Sequence, residues 1–370
     1  MIRFGPGGFP LSTKGRALQD GIEDVHTIGL TAMEYQFLRG NIIEREVLKE
    51  EINRTPRELE HQFILSIIRK TARGKSELIV CPDEPIRKKD VVKAILNPPA
   101  KNYKELALVG NLAKNLDIAL SIHAPYYMDF VEFGPLTEKC IENIKYSAIL
   151  ADQFGGSMVV THVGFYGTLP KEAAYSRIKS NFESLLQWWK ELKIKPRLGI
   201  ETSGRQDLFG SLDDVVKLCS DINSPLLPVL NFAHLHARGN GLFKKKVDFQ
   251  VAINTVINYI PDKYLYMNFS GVDYEHGNEL RHTPIKKSDM KFELVADILL
   301  DNAYDATIIC SSPLLEHDAM YMKMVFEKLL IKRETKQLKK GKEVPEEVKK
   351  KKIVKKKTVA KKPIKPKKAK

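Results

Sequence analysis

Four histidines and one glutamate recur at comparable places along the chain: His123 in SIHAPYY, His162 in VTHVGFYG, Glu201 in GIETSG, His234 in NFAHLHARGNG and His282 in ELRHTPI. Each lies at or just beyond the end of a short apolar run. Imidazole and carboxylate are the donors that suit zinc or a similar divalent ion. One histidine on an apolar run reads more readily as a satisfied core residue. Five such positions at the same end of successive runs read as a metal centre, provided the fold brings those ends together. The stretch LNFAHLHARGNG carries an irregularity: Asn231 places an amide where a metal site would prefer a carboxylate.

Eight runs have the composition of buried strands: IRFG at 2–5, AMEYQFL at 32–38, IALSIHA at 118–124, SMVVTHV at 157–163, RLGIET at 197–202, LLPVLNF at 226–232, YLYMNFS at 264–270 and DATIICSS at 305–312. Helical stretches lie between them, such as SRIKSNFESLLQWWKELK and LTEKCIENIKYSAILADQFG, the latter ending in the glycine that a helix C-cap favours. Strand and helix alternating in this way give a parallel sheet, and eight units favour a closed (β/α)8 TIM barrel, whose C-terminal strand ends converge on one face. Residues 41–102 are too long for a simple connection and read as a helical insertion after the second strand. The 13 Lys and Arg between Arg45 and Lys101 give that insertion either an anionic partner or an ordinary solvated surface.

The net charge of +14 is concentrated at one end. Residues 331–370 hold 19 Lys and Arg against four Glu, while the first 330 residues carry 41 basic and 42 acidic side chains. A Lys-rich, Pro-punctuated segment with so little apolar content is expected to be disordered and to neutralise nucleic-acid phosphates without reading sequence; a solubilising appendage is the plainer alternative. Cys81, Cys140, Cys219 and Cys310 are scattered, which argues against disulfides and thiolate zinc sites. The opening MIRFGPGGFP has neither the basic nor the apolar region of a signal peptide, and no run of about 18 apolar residues exists. The expectation is a soluble, monomeric protein in the cytoplasm, associated with the nucleoid.

The motifs SIHAPYY, THVGFYG, IETSG, FAHLHARGNG, FSGVDYEHGNELRHTPI and SSPLLEHDA, in this order, resemble the archaeal-type branch of the endonuclease IV family, the apurinic/apyrimidinic endonucleases of the xylose-isomerase-like barrel superfamily. The resemblance spans residues 1–330 apart from the insertion. It implies a base-excision-repair hydrolase that binds three zinc ions at the barrel mouth, flips an abasic nucleotide out of double-stranded DNA and cleaves the phosphodiester on its 5′ side, manganese being a further candidate metal for this chain. Carried over, it makes His123, His162 and Glu201 the first metal seat, with Glu201 the catalytic bridge to a second. His234 and His282 belong to a third seat, where Leu280 stands in place of an aspartate and Glu279 is the candidate substitute. Tyr126 falls at a family position that contacts DNA near the lesion, with packing at the barrel mouth the alternative. Arg39, after the second strand, is placed to reach DNA or is an ordinary surface arginine, and Arg238 is a further DNA-binding candidate.

The middle seat departs from the family in all three of its other ligands, with Asn231 for Asp, Asn268 for His and Ser311 for Glu. Neutral amide and hydroxyl oxygens are poor zinc ligands, so one or two ions are expected rather than three. The chain is then either an active phosphodiesterase with altered metal chemistry or a catalytically impaired binder of damaged DNA; a sugar isomerase or epimerase would share the barrel. His236 and Arg238 either orient neighbouring metal ligands or contact phosphate, with support of the loop the alternative for His236. His317 reads as a rim residue, His26, His61 and His276 as surface or packing residues, and Trp188 and Trp189 as one packed and one partly exposed ring of an amphipathic helix.

Overall fold

The computed structural model describes residues 1–15, 17–37, 41–132, 134–222 and 226–339. All eight expected barrel strands form. In chain order they are β1 (Ile2–Pro6) and β2 (Ala32–Gln36), then, after the insertion strands β3 (Ile42–Glu46), β4 (Ile64–Lys70), β5 (Ser76–Ile79) and β6 (Val91–Ile95), β7 (Ala119–His123), β8 (Met158–Thr161), β9 (Arg197–Glu201), β10 (Leu226–Asn231) and β11 (Tyr264–Phe269). A hairpin, β12 (Gly271–Glu275) and β13 (Asn278–Thr283), precedes the last barrel strand, β14 (Asp305–Cys310). The parallel sheet runs β1-β14-β11-β10-β9-β8-β7-β2, and a parallel bridge between Gly7 and Glu34 spans the remaining seam. Gly5 permits that seam: a Cβ there would lie 1.9 Å from the Ala32 carbonyl oxygen.

The barrel is filled rather than hollow. Ala32, Met158, Val160, Leu227, Val229, Tyr266 and Ile309 form one buried cluster drawn from strands all round the sheet. Outside it pack α1 (Leu18–Thr27), α2 (Tyr103–Asn115), α3 (Pro135–Phe154), α4 (Lys171–Glu191), α5 (Leu212–Ile222), a short α6 (Phe232–Arg238), α7 (Lys246–Ile257) and α8 (Phe292–Asn302). The expected glycine stop of α3 is Gly155, at φ +70° in the left-handed region. In α4 the Trp189 ring is buried, with Nε1 donating to the Pro196 carbonyl at 2.9 Å, while Trp188 is only partly covered.

The insertion is not helical. Its strands form an antiparallel sheet in the order β3-β6-β4-β5, with only two single-turn 3₁₀ segments, Lys49–Glu51 and Pro56–Glu58. The reason is that Leu59, Ile64, Ile67, Ile86, Val92 and Ala94 build a core of their own, which favours β-branched residues on a pleated surface over helix. Charged residues of the insertion such as Glu44, Glu46 and Glu77 lie exposed on β3 and β5.

The chain divides into two compact units, Met1–Val325 and Phe326–Lys370. The helix α9 runs from Glu316 to Lys339, so residues 331–339 are helical rather than disordered. Leu, Lys, Arg, Glu and Gln dominate that stretch and are good helix formers irrespective of packing. The disorder expected of the Lys-rich tail from residue 340 onward falls outside the described residues. All four cysteines are free, and no helix among the described residues is long and apolar enough to cross a membrane.

Candidate metal centre

The barrel brings together what lay far apart in sequence. His123 ends β7, Glu201 ends β9, Asn231 ends β10, and His162 follows β8 by one residue. His123 Nε2 lies 2.8 Å and His162 Nε2 3.3 Å from the same oxygen, Oε2 of Glu201. The His123 Nδ1 donates to the Ala124 carbonyl at 2.6 Å, and since a carbonyl only accepts, that bond places a proton on Nδ1 and turns Nε2 toward the carboxylate. This is the arrangement in which a backbone oxygen orients a metal-binding imidazole.

A second cluster repeats the pattern. His234 Nδ1 donates to the Thr202 carbonyl at 2.6 Å and His282 Nδ1 to the Ser311 carbonyl at 2.9 Å. Their Nε2 atoms face one another at 3.2 Å, with Glu279 Oε2 3.3 Å from the first and Oε1 3.1 Å from the second. Glu279 is therefore the carboxylate of this cluster, and Leu280 is exposed. A register shift between Asp273 and Tyr274 opposes Asp273 to Arg281 but Tyr274 to Glu279, leaving Leu280 as the extra residue. Such a bulge re-aims the side chains beside it, here turning Glu279 onto the His282 face. Gly204 of the IETSG motif makes room, since a Cβ at that position would lie 2.2 Å from Glu279 Oε2.

Asn231 joins the two clusters. Its Oδ1 accepts from the His234 backbone N–H at 3.2 Å, capping α6, while its Nδ2 donates to Glu201 Oε1 at 2.8 Å and lies 3.3 Å from His234 Nε2. Asn268 Nδ2 donates to the same Glu201 oxygen. Both oxygens of Glu201 are thus engaged, one by imidazoles and one by amides.

The charges are set by burial and pairing. Burial disfavours a charged ring at His123, but the hydrogen bond and charge of Glu201 outweigh it and raise the group to about 9. At His162 burial dominates and pushes the ring down to about 4, leaving it neutral. Glu201 is held well below the usual carboxylate range, burial being overcome by His162 and His123. Glu279 falls to about 2, where burial is overcome by His234 and His282. His282 is raised, burial being overcome by its bond to Glu279. Two anionic carboxylates, each flanked by oriented imidazoles, fit a divalent cation at each cluster.

These residues floor a cavity of about 670 Å³. Tyr126 stands at its mouth with its ring 4.6 Å from His123, and its hydroxyl donates to Gln36 Oε1 at 2.6 Å. Gln36 in turn donates to the buried Glu34, which also accepts from the Tyr266 hydroxyl, both at 2.8 Å. Glu34 and Gln36 are functional candidates that the sequence reading misses; the available signal is a carboxylate on an otherwise apolar barrel strand, AMEYQ. Burial raises the Glu34 carboxyl. The Arg238 guanidinium is spent on the Arg205 and Leu208 carbonyls, tying down their loop. The fully buried His236 donates to Asp289 Oδ1 and accepts from the Phe243 N–H, each at 2.9 Å, and so holds its own loop. Arg39 lies outside the described residues.

Fold and site together define a parallel eight-stranded barrel with histidine and carboxylate clusters gathered at the C-terminal mouth. The chain belongs to the xylose isomerase-like TIM barrel family, whose model matches residues 87–324. An uncharacterized protein of Methanocaldococcus jannaschii is 33% identical over 221 residues, covering 58% of this chain and 78% of that one. Among solved structures, endonuclease IV from Thermus thermophilus superposes with a TM-score of 0.55 at 18% identity, covering 88% of this chain and 99% of its own. L-ribulose 3-epimerase superposes with a TM-score of 0.57 at 12% identity, covering 93% and 100%. Identities this low speak for the fold alone.

Proposed function

We propose that this chain is a divalent-metal-dependent phosphodiesterase acting on double-stranded DNA at abasic sites. The observation that carries the reading is the pair of His/His/carboxylate clusters adjoining through Asn231 at the floor of one cavity. Zinc or manganese bound at His123, His162 and Glu201 and at His234, Glu279 and His282 would acidify water and neutralise charge building on a phosphate.

The residues themselves explain why cations are needed. Glu201 and Glu279 are both ionised at neutral pH, so a phosphate entering without cations would meet two buried negative charges. His162, being neutral, presents a lone pair without first losing a proton. At the rim Tyr127 is 92% exposed, Phe165 48% and Tyr126 45%. Exposed aromatic faces around a cavity suit a nucleotide extruded from its stack. The excess positive charge of the Lys-rich tail would hold the duplex by its phosphates.

A second reading, lesion binding without cleavage, draws support from Glu201 itself. Its Oε1 is occupied by two amide donors and is not free to bridge a further ion. One experiment separates the two: a duplex with a single abasic site is incubated with zinc or manganese, and nicking and retention are scored together. Metal-dependent nicking lost in His162→Ala supports the phosphodiesterase. Tight, lesion-selective retention without nicking supports the binder, and neither result overturns both in favour of a small-molecule reaction.

A further inference from the structure

Between the two clusters stand two polar atoms that the protein does not satisfy. Among the described residues, Asn268 Oδ1 and Ser311 Oγ are buried and have no hydrogen-bond partner. Both residues line the cavity, and Ser311 lies just past β14, two residues beyond Ile309, the register partner of Asn268, so the two belong to the same face of adjacent strands. Asn268 is only 2% exposed. Its orientation is fixed, because a carboxylate oxygen only accepts and Asn268 must turn its Nδ2 to Glu201. Its Oδ1 therefore faces away from Glu201 as a pure acceptor.

We propose that this position is a subsite for a neutral hydroxyl of the substrate's sugar and not a seat for a third cation. A hydroxyl donates to Asn268 Oδ1 and accepts from Ser311 Oγ, satisfying both orphaned atoms with one group. A cation would sit beside the amide hydrogens of Asn231 and Asn268, whose positive ends point to the Glu201 oxygen it would need. A fully deprotonated anion has no proton for Asn268 Oδ1, and any anion would be repelled by the Glu201 carboxylate. The proposal rests on the abasic-DNA reading above, and it names which part of the substrate Asn268 and Ser311 recognise.

The test uses zinc-loaded protein and small probes that need no duplex. 2-Deoxyribose 5-phosphate, its tetrahydrofuran analogue lacking the C1 hydroxyl, and ribose 5-phosphate, which adds a C2 hydroxyl, are compared by calorimetry. 2-Deoxyribose 5-phosphate is expected to bind at least about tenfold more tightly than the tetrahydrofuran analogue, assigning the C1 hydroxyl, while a gap that appears only with ribose 5-phosphate would keep the subsite and overturn the DNA reading. Ser311→Ala is expected to collapse the ratio toward one with the zinc content unchanged, Asn268→Leu to collapse it as well, and Ser311→Thr to keep it. Equal affinities, no binding of any probe, or a ratio indifferent to Ser311→Ala would overturn the subsite. Loss of duplex nicking and retention with the probe ratio intact would instead overturn the nucleic-acid reading and leave the subsite standing.

Discussion

Asn231 and Asn268 are register partners on the adjacent strands β10 and β11, and both turn their amide nitrogens onto the same oxygen of Glu201. Two hydrogen-bond donors thus occupy the direction from which a bridging cation would approach that carboxylate. The expected metal content is two ions per chain, one for each histidine cluster. Changing Asn231→Asp, Asn268→His and Ser311→Glu together supplies anionic and imidazole ligands at this position and should raise the content to three. Elemental analysis of both proteins after gel filtration decides the matter; three tightly held ions in the unaltered chain would sink the assignment.

Proton competition sets the pH dependence of the first cluster. In the metal-free protein His123 keeps its Nε2 proton up to about 9, whereas His162 at about 4 carries no extra proton at neutral pH. An entering ion must displace that one proton, so apparent affinity should fall about tenfold per unit as pH is lowered between about pH 8 and about pH 6. The stability of the metal-free protein has its own window. A ring whose folded value is raised contributes stability fully present below the unfolded value of about 6.5 and lost as pH rises through about 9. Zinc titration against a competing chelator, with proton release read in buffers of different ionisation enthalpy, checks the first statement. An affinity flat across that range is the outcome it does not survive.

Much of this architecture is legible in the chain itself. Buried parallel strands are continuous apolar runs, and eight of them ending in similar residues point to one barrel mouth. His123, His162, Glu201, His234 and His282 are all readable for that reason. The insertion is not, because β3 and β5 are exposed strands whose charges mimic the polar face of a helix, and its small core comes from residues as far apart as Leu59 and Ala94. Glu279 is legible as the candidate substitute for the missing aspartate, but the one-residue bulge that turns it rather than Leu280 inward is not marked by composition. The double role of Asn231, cap of α6 and donor to Glu201, needs the chain to turn straight from strand into helix.

Gly204 offers a way to disturb the second cluster alone. A methyl group there would meet Glu279 Oε2 at 2.2 Å and its Cβ at 2.8 Å, and Glu279 is tied to this place by its N–H to the Gly204 carbonyl at 2.9 Å. Gly204→Ala should therefore push the carboxylate off His234 and His282 and lower the metal content by one ion of the pair. Overpacking of this kind costs about 1–3 kcal/mol of stability, so the protein should remain folded. Retention of both ions at unchanged affinity would show that Glu279 is dispensable as a ligand.

The two histidines of LNFAHLHARGNG make opposite predictions although they are near neighbours in the chain. His234 points its Nε2 at Glu279 and His282 and belongs to the candidate metal cluster. His236 is fully buried, donates to Asp289 and accepts from the Phe243 N–H, and its burial lowers the ring's affinity for a second proton. His236→Ala leaves a cavity and an unpaired backbone donor, and should cost about 2–4 kcal/mol while both ions stay bound. His234→Ala should release one ion and leave the denaturation midpoint of the metal-free protein close to its original value. Denaturant titration and metal analysis on the same two variants separate the roles; if either protein loses both stability and metal, the division of labour between these residues is wrong.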